Sequence, residues 1–231
     1  MKPIIKTFII VTIFSIAMGF IETAVVVYLR ALYYPAGFQF PVVPVSRLVL
    51  ITELTREMAT IIMLICIGIM AGKNFAQRFS FFIHSFAVWD ITYYVFLKVL
   101  LGWPVSLFTL DILFLIPVPW AGPVLAPCII SLSMIMFAVI VLNLEGKHYP
   151  VLFILPDWMM MTLAGIIFTG SFTADYFKII FTTAESVTTL QLSDRIMQCI
   201  PASYNWRIFA AAEMILLADF YLIYKRSKKI V

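Results

Sequence analysis

Charged residues are scarce. Asp, Glu, Lys and Arg together make up 12% of the 231 residues, about half of what a soluble domain carries, too few to clothe a water-facing surface. Cysteine is scarcer still: Cys66, Cys128 and Cys199 stand far apart with no C-x-x-C pair, which argues against a disulfide framework and leaves them as packing residues. His84 and His148 are the histidines. Both fall near one predicted membrane face, so bis-histidine haem ligation is conceivable in geometry but not expected. H-E-x-x-H, G-x-S-x-G, a Walker A loop and a Rossmann fingerprint are all missing, so no motif names a reaction. Internal repeats and low-complexity segments are missing too.

What fills the chain is apolar. Hydrophobic residues reach 63% and mean hydropathy is +1.05, which predicts an all-α, polytopic transmembrane helix bundle of about six spans. The spans are expected over residues 8–30, 46–71, 79–101, 122–143, 151–172 and 206–224. They occupy roughly half the chain, and residues 1–231 read as a single transmembrane domain. Lys2 and Lys6 precede an apolar run from Phe8 to Leu29. That run exceeds the ~7–15 residues of a signal-peptide core and lacks a small-residue cleavage site, so a retained first helix is expected.

Six spans place both termini on one side. Lys2, Lys6, Lys73, Arg78, Lys147 and the Lys225–Lys229 run share that side, against Arg30, Arg47, Lys98, Lys178, Arg195 and Arg207 on or near the other. The positive-inside rule then puts both termini in the cytoplasm. The net charge of +4 accordingly sets topology and does not point to nucleic acid. Two outer connections are long. Residues 102–121 are too proline-rich to continue a helix, with Pro104, Pro117 and Pro119, yet Leu107 to Ile116 is too apolar for a free loop. A re-entrant or interfacial helix near 105–116 is expected, capping or lining a cavity with Asp111. Residues 173–205 read as an amphipathic cover on the same side.

Ionisable residues sit inside the apolar runs. Glu53, Arg56, Glu57 and Thr60 follow the i, i+3, i+4, i+7 spacing and form one polar stripe. Glu53 and Glu57 lie about 10 and 16 Å below the helix start, too deep for easy escape to water. Glu22, Asp90 and Glu213 occur at the middle or outer half of other spans. Each should face the bundle, since a carboxylate exposed to lipid costs about 2.5–3.5 kcal/mol. Asp90, Tyr94 and Lys98 share a face through i, i+4, i+8 spacing, and an ion pair from Lys98 to a carboxylate is expected. Five deep acids, Glu22, Glu53, Glu57, Asp90 and Glu213, thus stand against the deep bases Arg56 and Lys98. Acids left without a base hold protons or bind a cation. Glu53, Glu57 and Asp90 are the candidate ligands should a divalent metal be held. Asp157 follows Pro156 and reads as a first-turn helix residue, and Asp219 as a partner of the basic tail.

The stretch Val88-Trp89-Asp90-Ile91-Thr92-Tyr93-Tyr94, followed by Leu97-Lys98, Gly102-Trp103-Pro104, Asp111-Ile112-Leu113-Phe114-Leu115-Ile116-Pro117 and Pro119-Trp120, resembles an uncharacterised family of bacterial integral membrane proteins. Gly19-Phe20-Ile21-Glu22 and Arg56-Glu57 are similar to it as well. The resemblance spans much of residues 19–127 and implies the inner membrane of a bacterial cell, with no activity attached. Leu110 stands before Asp111 where the pattern would carry a second tryptophan, so the two W-D units are not equivalent. Three functions fit the residues. One is a cation- or proton-coupled transporter, working as a homo-oligomer if its pore lies between subunits. The second is an intramembrane enzyme acting on a lipid or quinone-like substrate, with paired carboxylates as acid and base. The third is an assembly subunit whose charges choose helix partners. The partners implied are the lipid bilayer and a lipid or small ion.

Overall fold

The structure, a computed structural model, describes residues 2–115, 118–183, 198–201 and 204–229. Its elements are α1 (Lys2–Tyr33), α2 (Arg47–Ala71), α3 (Phe75–Leu101), β1 (Leu110–Phe114), β2 (Trp120–Pro123), α4 (Leu125–Gly146), α5 (Leu155–Thr183) and α6 (Trp206–Ser227). The first five helices are long and apolar enough to cross a membrane. The chain is therefore a membrane-protein helix bundle, as its composition predicts.

The expected sixth span is present as α6 but is not apolar enough by itself. Arg207, Glu213, Asp219 and Lys225 are spaced so that every 18-residue window of α6 holds at least three charged residues. Neighbours compensate. Ser133 of α4 bonds Glu213, Phe137 of α4 stacks on Phe220 with ring centroids 4.2 Å apart, and Arg226 pairs with Asp157 at the start of α5.

Side chains punctuate the helices where the sequence supplies short polar residues. The Ser46 hydroxyl accepts the Val49 N–H at 3.3 Å and the Asn74 side chain accepts the Gln77 N–H at 2.9 Å, each satisfying a donor that a first turn leaves bare. Gly102, at φ +66°, ends α3 in the left-handed conformation that favours glycine. The fifth helix departs most from expectation, beginning at Leu155 instead of 151 and running on to Thr183 instead of 172. Pro156 suits a first turn because it has no N–H to leave unpaired, and the Asp157 carboxylate accepts the Ile154 N–H at 2.8 Å. At the far end no proline or glycine follows Gly170 to stop the helix. The cover expected over 173–205 thus begins as the last turns of α5, and its residues 184–197 and 202–203 lie outside the described residues.

At the centre lies α3, with α1, α2 and α4 packed on it, while α6 pairs with α5 and touches α4. Thr12 meets His84 and Thr23 meets the Tyr93 carbonyl, so α1 and α3 run in the same direction. Asn74 reaches Glu145, so α4 returns against α3. Odd helices run one way and even helices back, leaving both described chain ends at one end of the bundle and the α1–α2 and α3–α4 connections at the other, here called the hairpin end.

Over its described residues, 105–115, the segment expected as a helix near 105–116 is not one. It enters β1, which pairs antiparallel with β2 in the register Leu110 to Pro123, Asp111 to Gly122, Ile112 to Ala121 and Phe114 to Trp120. Prolines at 104, 119 and 123 bar a helical ladder, and cross-strand pairing gives an apolar segment the hydrogen bonds it needs at membrane depth. The hairpin nonetheless reaches deep into the bundle. Phe114 stacks on Phe86 at 6.4 Å, and Phe86 lies about 22 Å along α3 from Leu101 at roughly 1.5 Å per residue.

Close approaches at glycine hold α3 to its neighbours. A Cβ on Gly19 would fall on Thr92, and one on Gly68 would come within 2.7 Å of the Phe82 Cβ and 2.9 Å of the Arg78 carbonyl. Gly68→Val is expected to destabilise the protein by about 1–3 kcal/mol through forced separation of α2 and α3, whereas Gly165→Val, where nothing lies within 4 Å of the added Cβ, leaves it nearly unchanged. Thermal melts in detergent compare the two, and equal melting temperatures would refute the close α2–α3 contact.

Candidate functional site

A cavity of about 470 Å3 opens at the hairpin end between α1, α2, α3, the β-hairpin and the 34–45 connection, within the range of small-molecule sites. Its walls are mostly apolar, with Val26 and Leu29 from α1, Val49, Leu50 and Leu54 from α2, Val42, Val43 and Val45 from the connection, and several aromatic rings among them. Both α1 and α2 lie along α3 but touch one another little, so the cavity forms in the cleft between them.

The α2 stripe supplies the polar side. The Arg56 guanidinium donates from Nε to Glu53 Oε2 at 2.9 Å and approaches the same oxygen through Nη2 at 2.8 Å, while its Nη1 donates to Glu22 of α1. The ion pair between Arg56 and Glu22 is thus a tie between two helices that otherwise barely meet. Glu57, one position further, accepts the backbone N–H of Leu115 at 3.3 Å, giving a partner to a donor at the inner end of β1. Thr60, the last of the stripe, is buried in the same wall.

From α3 come Trp89, Asp90, Tyr93 and Tyr94. Asp90 accepts a hydrogen bond from the Ser131 hydroxyl of α4 at 2.8 Å. Nearer the mouth, Asp111 of β1 pairs with Arg30 of α1 at 3.3 Å. The Arg30 guanidinium lies over the Trp103 ring at 3.8 Å and over Phe38 at 4.7 Å, held by cation–π contacts in a dry setting where they are strongest. Among the described residues, three buried polar atoms of lining residues, each with almost no surface of its own, have no hydrogen-bond partner: Trp89 Nε1, the Tyr176 hydroxyl and Asp111 Oδ2. Toward the terminal end, an apolar cluster of Met18, Leu64 and Trp89, flanked by Phe14, Phe82, Phe86 and Phe114, lies below the polar groups.

Of the residues singled out by sequence, Glu22, Glu53, Arg56, Glu57, Asp90, Tyr94 and Asp111 line this cavity. Two lie elsewhere. Among the described residues Lys98 pairs with no carboxylate; its ammonium donates to the carbonyls of Gly102 at 3.1 Å and Pro104 at 2.8 Å, closing the carboxyl end of α3. Glu213 of α6 is turned to Ser133 of α4, away from the cavity. Trp89 and Tyr93, which stand in the motif around Asp90, join the lining, as do Arg30 and Tyr176, which the sequence did not single out. Five acids therefore face two bases in the wall, Glu22, Glu53, Glu57, Asp90 and Asp111 against Arg30 and Arg56. Glu53, Glu57 and Asp90 do not converge as a metal site: each is drawn to a different partner, and among the described residues no three His, Cys, Asp or Glu side chains gather closely enough to hold an ion. His84 is buried near the opposite end, bonded to Thr12 at 2.8 Å and stacked on Phe8. His148 lies in the α4–α5 turn. Asp157, not Asp219, takes the basic tail through Arg226, leaving Asp219 fully buried.

No family model matches the chain, and no curated protein or solved structure matches it either.

Two substitutions separate charge from backbone satisfaction at Glu57. Glu57→Gln keeps an oxygen for the Leu115 N–H and is expected to leave the melting temperature close to wild type. Glu57→Leu strands that donor and costs about 1–3 kcal/mol, read as a lower melting temperature together with faster amide exchange at Leu115. At the interhelix tie, Arg56→Met leaves two carboxylates unpaired and is expected to cost about 3 kcal/mol or more. Combining it with Glu22→Gln recovers part of the loss, and a double-mutant cycle in detergent measures the coupling.

Proposed function

We propose that this chain is a multi-pass membrane protein whose cavity receives an amphipathic, lipid-like molecule sideways through the cleft between α1 and α2, with Glu57 placed to carry out acid–base chemistry on its polar end. The observation that carries the reading is the composition of one cavity: apolar walls large enough for part of an acyl or isoprenoid chain, with ionisable groups from α1, α2, α3 and β1 set among them. Glu57 and Asp90 form no ion pair among the described residues. A carboxyl that is bound by no base can exchange a proton with a ligand, which is what acid–base work requires. The apolar cluster of Met18, Leu64 and Trp89 below the acids favours a dead-ended site over a through-path.

Proton-coupled transport is the second reading, favoured by those same two carboxyls without ion pairs. For setting, we place the chain in a bacterial inner membrane. Lys73, Lys147 and the Lys225–Lys229 run at the terminal end orient that end to the cytoplasm and the cavity to the opposite side.

Lipid extraction and mass spectrometry of the protein purified in detergent test the reading. One amphipath is expected to be retained near stoichiometry by wild type and lost from Leu54→Trp, in which the indole fills the cavity. Equal lipid content in both proteins would reject it.

A further inference from the structure

We propose that the hairpin-end half of α2, residues 47–59, is a lateral gate to the cavity, held shut by the Arg56–Glu22 ion pair. The proposal rests on the reading above that a ligand comes in between α1 and α2, and it assigns the moving part. Burial divides α2 in two. Its buried residues, Thr60, Leu64 and Gly68, form one i, i+4, i+8 stripe in the half nearer the chain ends, and residues 47–59 include none. Val49, Leu50, Glu53, Leu54, Arg56 and Glu57 are half-buried, and all six line the cavity. What shades this half of the helix is thus chiefly the cavity, not a closely packed neighbour. A segment with few buried apolar contacts opens at a lower free-energy cost than the core beside it.

The fixed parts are equally well defined. Toward the terminal end of α2, Leu64 packs with Met18 and Trp89, and the close approaches of Gly68 to Phe82 and of Gly72 to Arg78 leave the helix no room to shift on α3. Across the cleft, α1 is seated on α3 by Gly19 against Thr92 and by the Thr23 hydroxyl, which donates to the Tyr93 carbonyl at 3.2 Å. Those two positions flank Glu22, so Glu22 stays in place and α2 is the helix that swings. Among the described residues, two polar contacts tie the hairpin-end half of α2 to other elements, Arg56 to Glu22 and the Leu115 N–H to Glu57. Arg56 also holds Glu53, three residues away on its own helix. Its guanidinium therefore keeps a carboxylate when it leaves Glu22, and opening avoids the full penalty of stranding a buried charge. Residues 34–46, which join α1 to α2, form neither helix nor strand, so no rigid element holds the tip of the gate back.

Cysteine accessibility in phosphatidylcholine nanodiscs tests the gate. With Cys66, Cys128 and Cys199 replaced by alanine, Val26→Cys places a thiol on the cavity wall of α1, and Ile21→Cys places one on its exposed face as a reference. Each is treated with pyrene maleimide, which dissolves in the bilayer, or with a sulfonated maleimide confined to water. Glu22→Gln releases the latch while Arg56 keeps Glu53. It is expected to raise pyrene labelling of Val26→Cys about tenfold or more, the scale of one charge-assisted hydrogen bond, and to leave Ile21→Cys unchanged. Equal rates with and without the latch would overturn the gate and leave sideways entry standing. Labelling of Val26→Cys by the sulfonated reagent alone, or by neither, would overturn the gate together with sideways entry. A second measurement leaves the latch intact. Spin labels at Leu32→Cys and Leu48→Cys, exposed at the hairpin end of α1 and α2, are expected to show a broader distance distribution than labels at Ile9→Cys and Met70→Cys, exposed toward the other end. Equally narrow distributions for the two pairs would overturn the gate without any change to Glu22.

Discussion

A backbone that enters the hydrocarbon layer without forming a helix must find a partner for every N–H and C=O, because no water is there to supply one. The β-hairpin imposes that requirement on the rest of this bundle. Cross-strand pairing satisfies the facing groups of Leu110–Ile112 and Phe114 against Trp120–Pro123, with an irregularity at Leu113, and the pairing extends outward through the Val124 N–H to the Thr109 carbonyl at 3.1 Å and the Leu125 N–H to the Leu107 carbonyl at 2.8 Å. Pro119 and Pro123 bring no N–H to satisfy. Leu115 does, and the acceptor comes from Glu57 of α2. The helices then have to stand far enough apart to seat the hairpin, and the space between α1 and α2 that results is the cavity. Its polar lining is thus partly a consequence of admitting irregular backbone and partly an opportunity for chemistry.

The charges follow the same economy of partners. Arg56 serves α2 through Glu53 and the α1–α2 contact through Glu22, while Arg30 serves the hairpin through Asp111. Each base is held by acids from its own helix or from the element across the cleft. Lys98 spends its charge on the end of α3. What remains is an acidic wall in an apolar chamber, an environment that favours hydrogen-bond donors over anions.

Much of the helical architecture was legible in sequence because apolar length is a local property, readable one segment at a time. The α2 stripe was legible for a related reason: helical spacing alone puts Glu53, Arg56, Glu57 and Thr60 on one face. Which neighbour a face meets is not local. Glu213 and Lys98 are of the type expected of cavity residues, yet one turns to Ser133 and the other, exposed, caps its own helix. Arg30, with no special spacing, becomes a wall residue because Trp103, Phe38 and Asp111 converge on it from two connections. The hairpin was half legible. Proline density and apolarity announced backbone that enters the membrane irregularly, but strand pairing depends on the match between residues 110–114 and 120–123, which no helical or alternating pattern advertises.

Gly122 of β2 lies so close to Phe172 of α5 that an added Cβ would come within 2.6 Å of the ring, and Tyr176 of α5 forms part of the same wall. The hairpin precedes α5 in the chain by some thirty residues of helix and turn, so during synthesis it leaves the ribosome before the surface it must rest on exists. Its strands can pair with each other early, but their seat in the bundle is unfinished until the fifth helix has entered the bilayer. Assembly of the cavity is therefore a late event, and the order of insertion is written into the contact between one glycine and one phenylalanine.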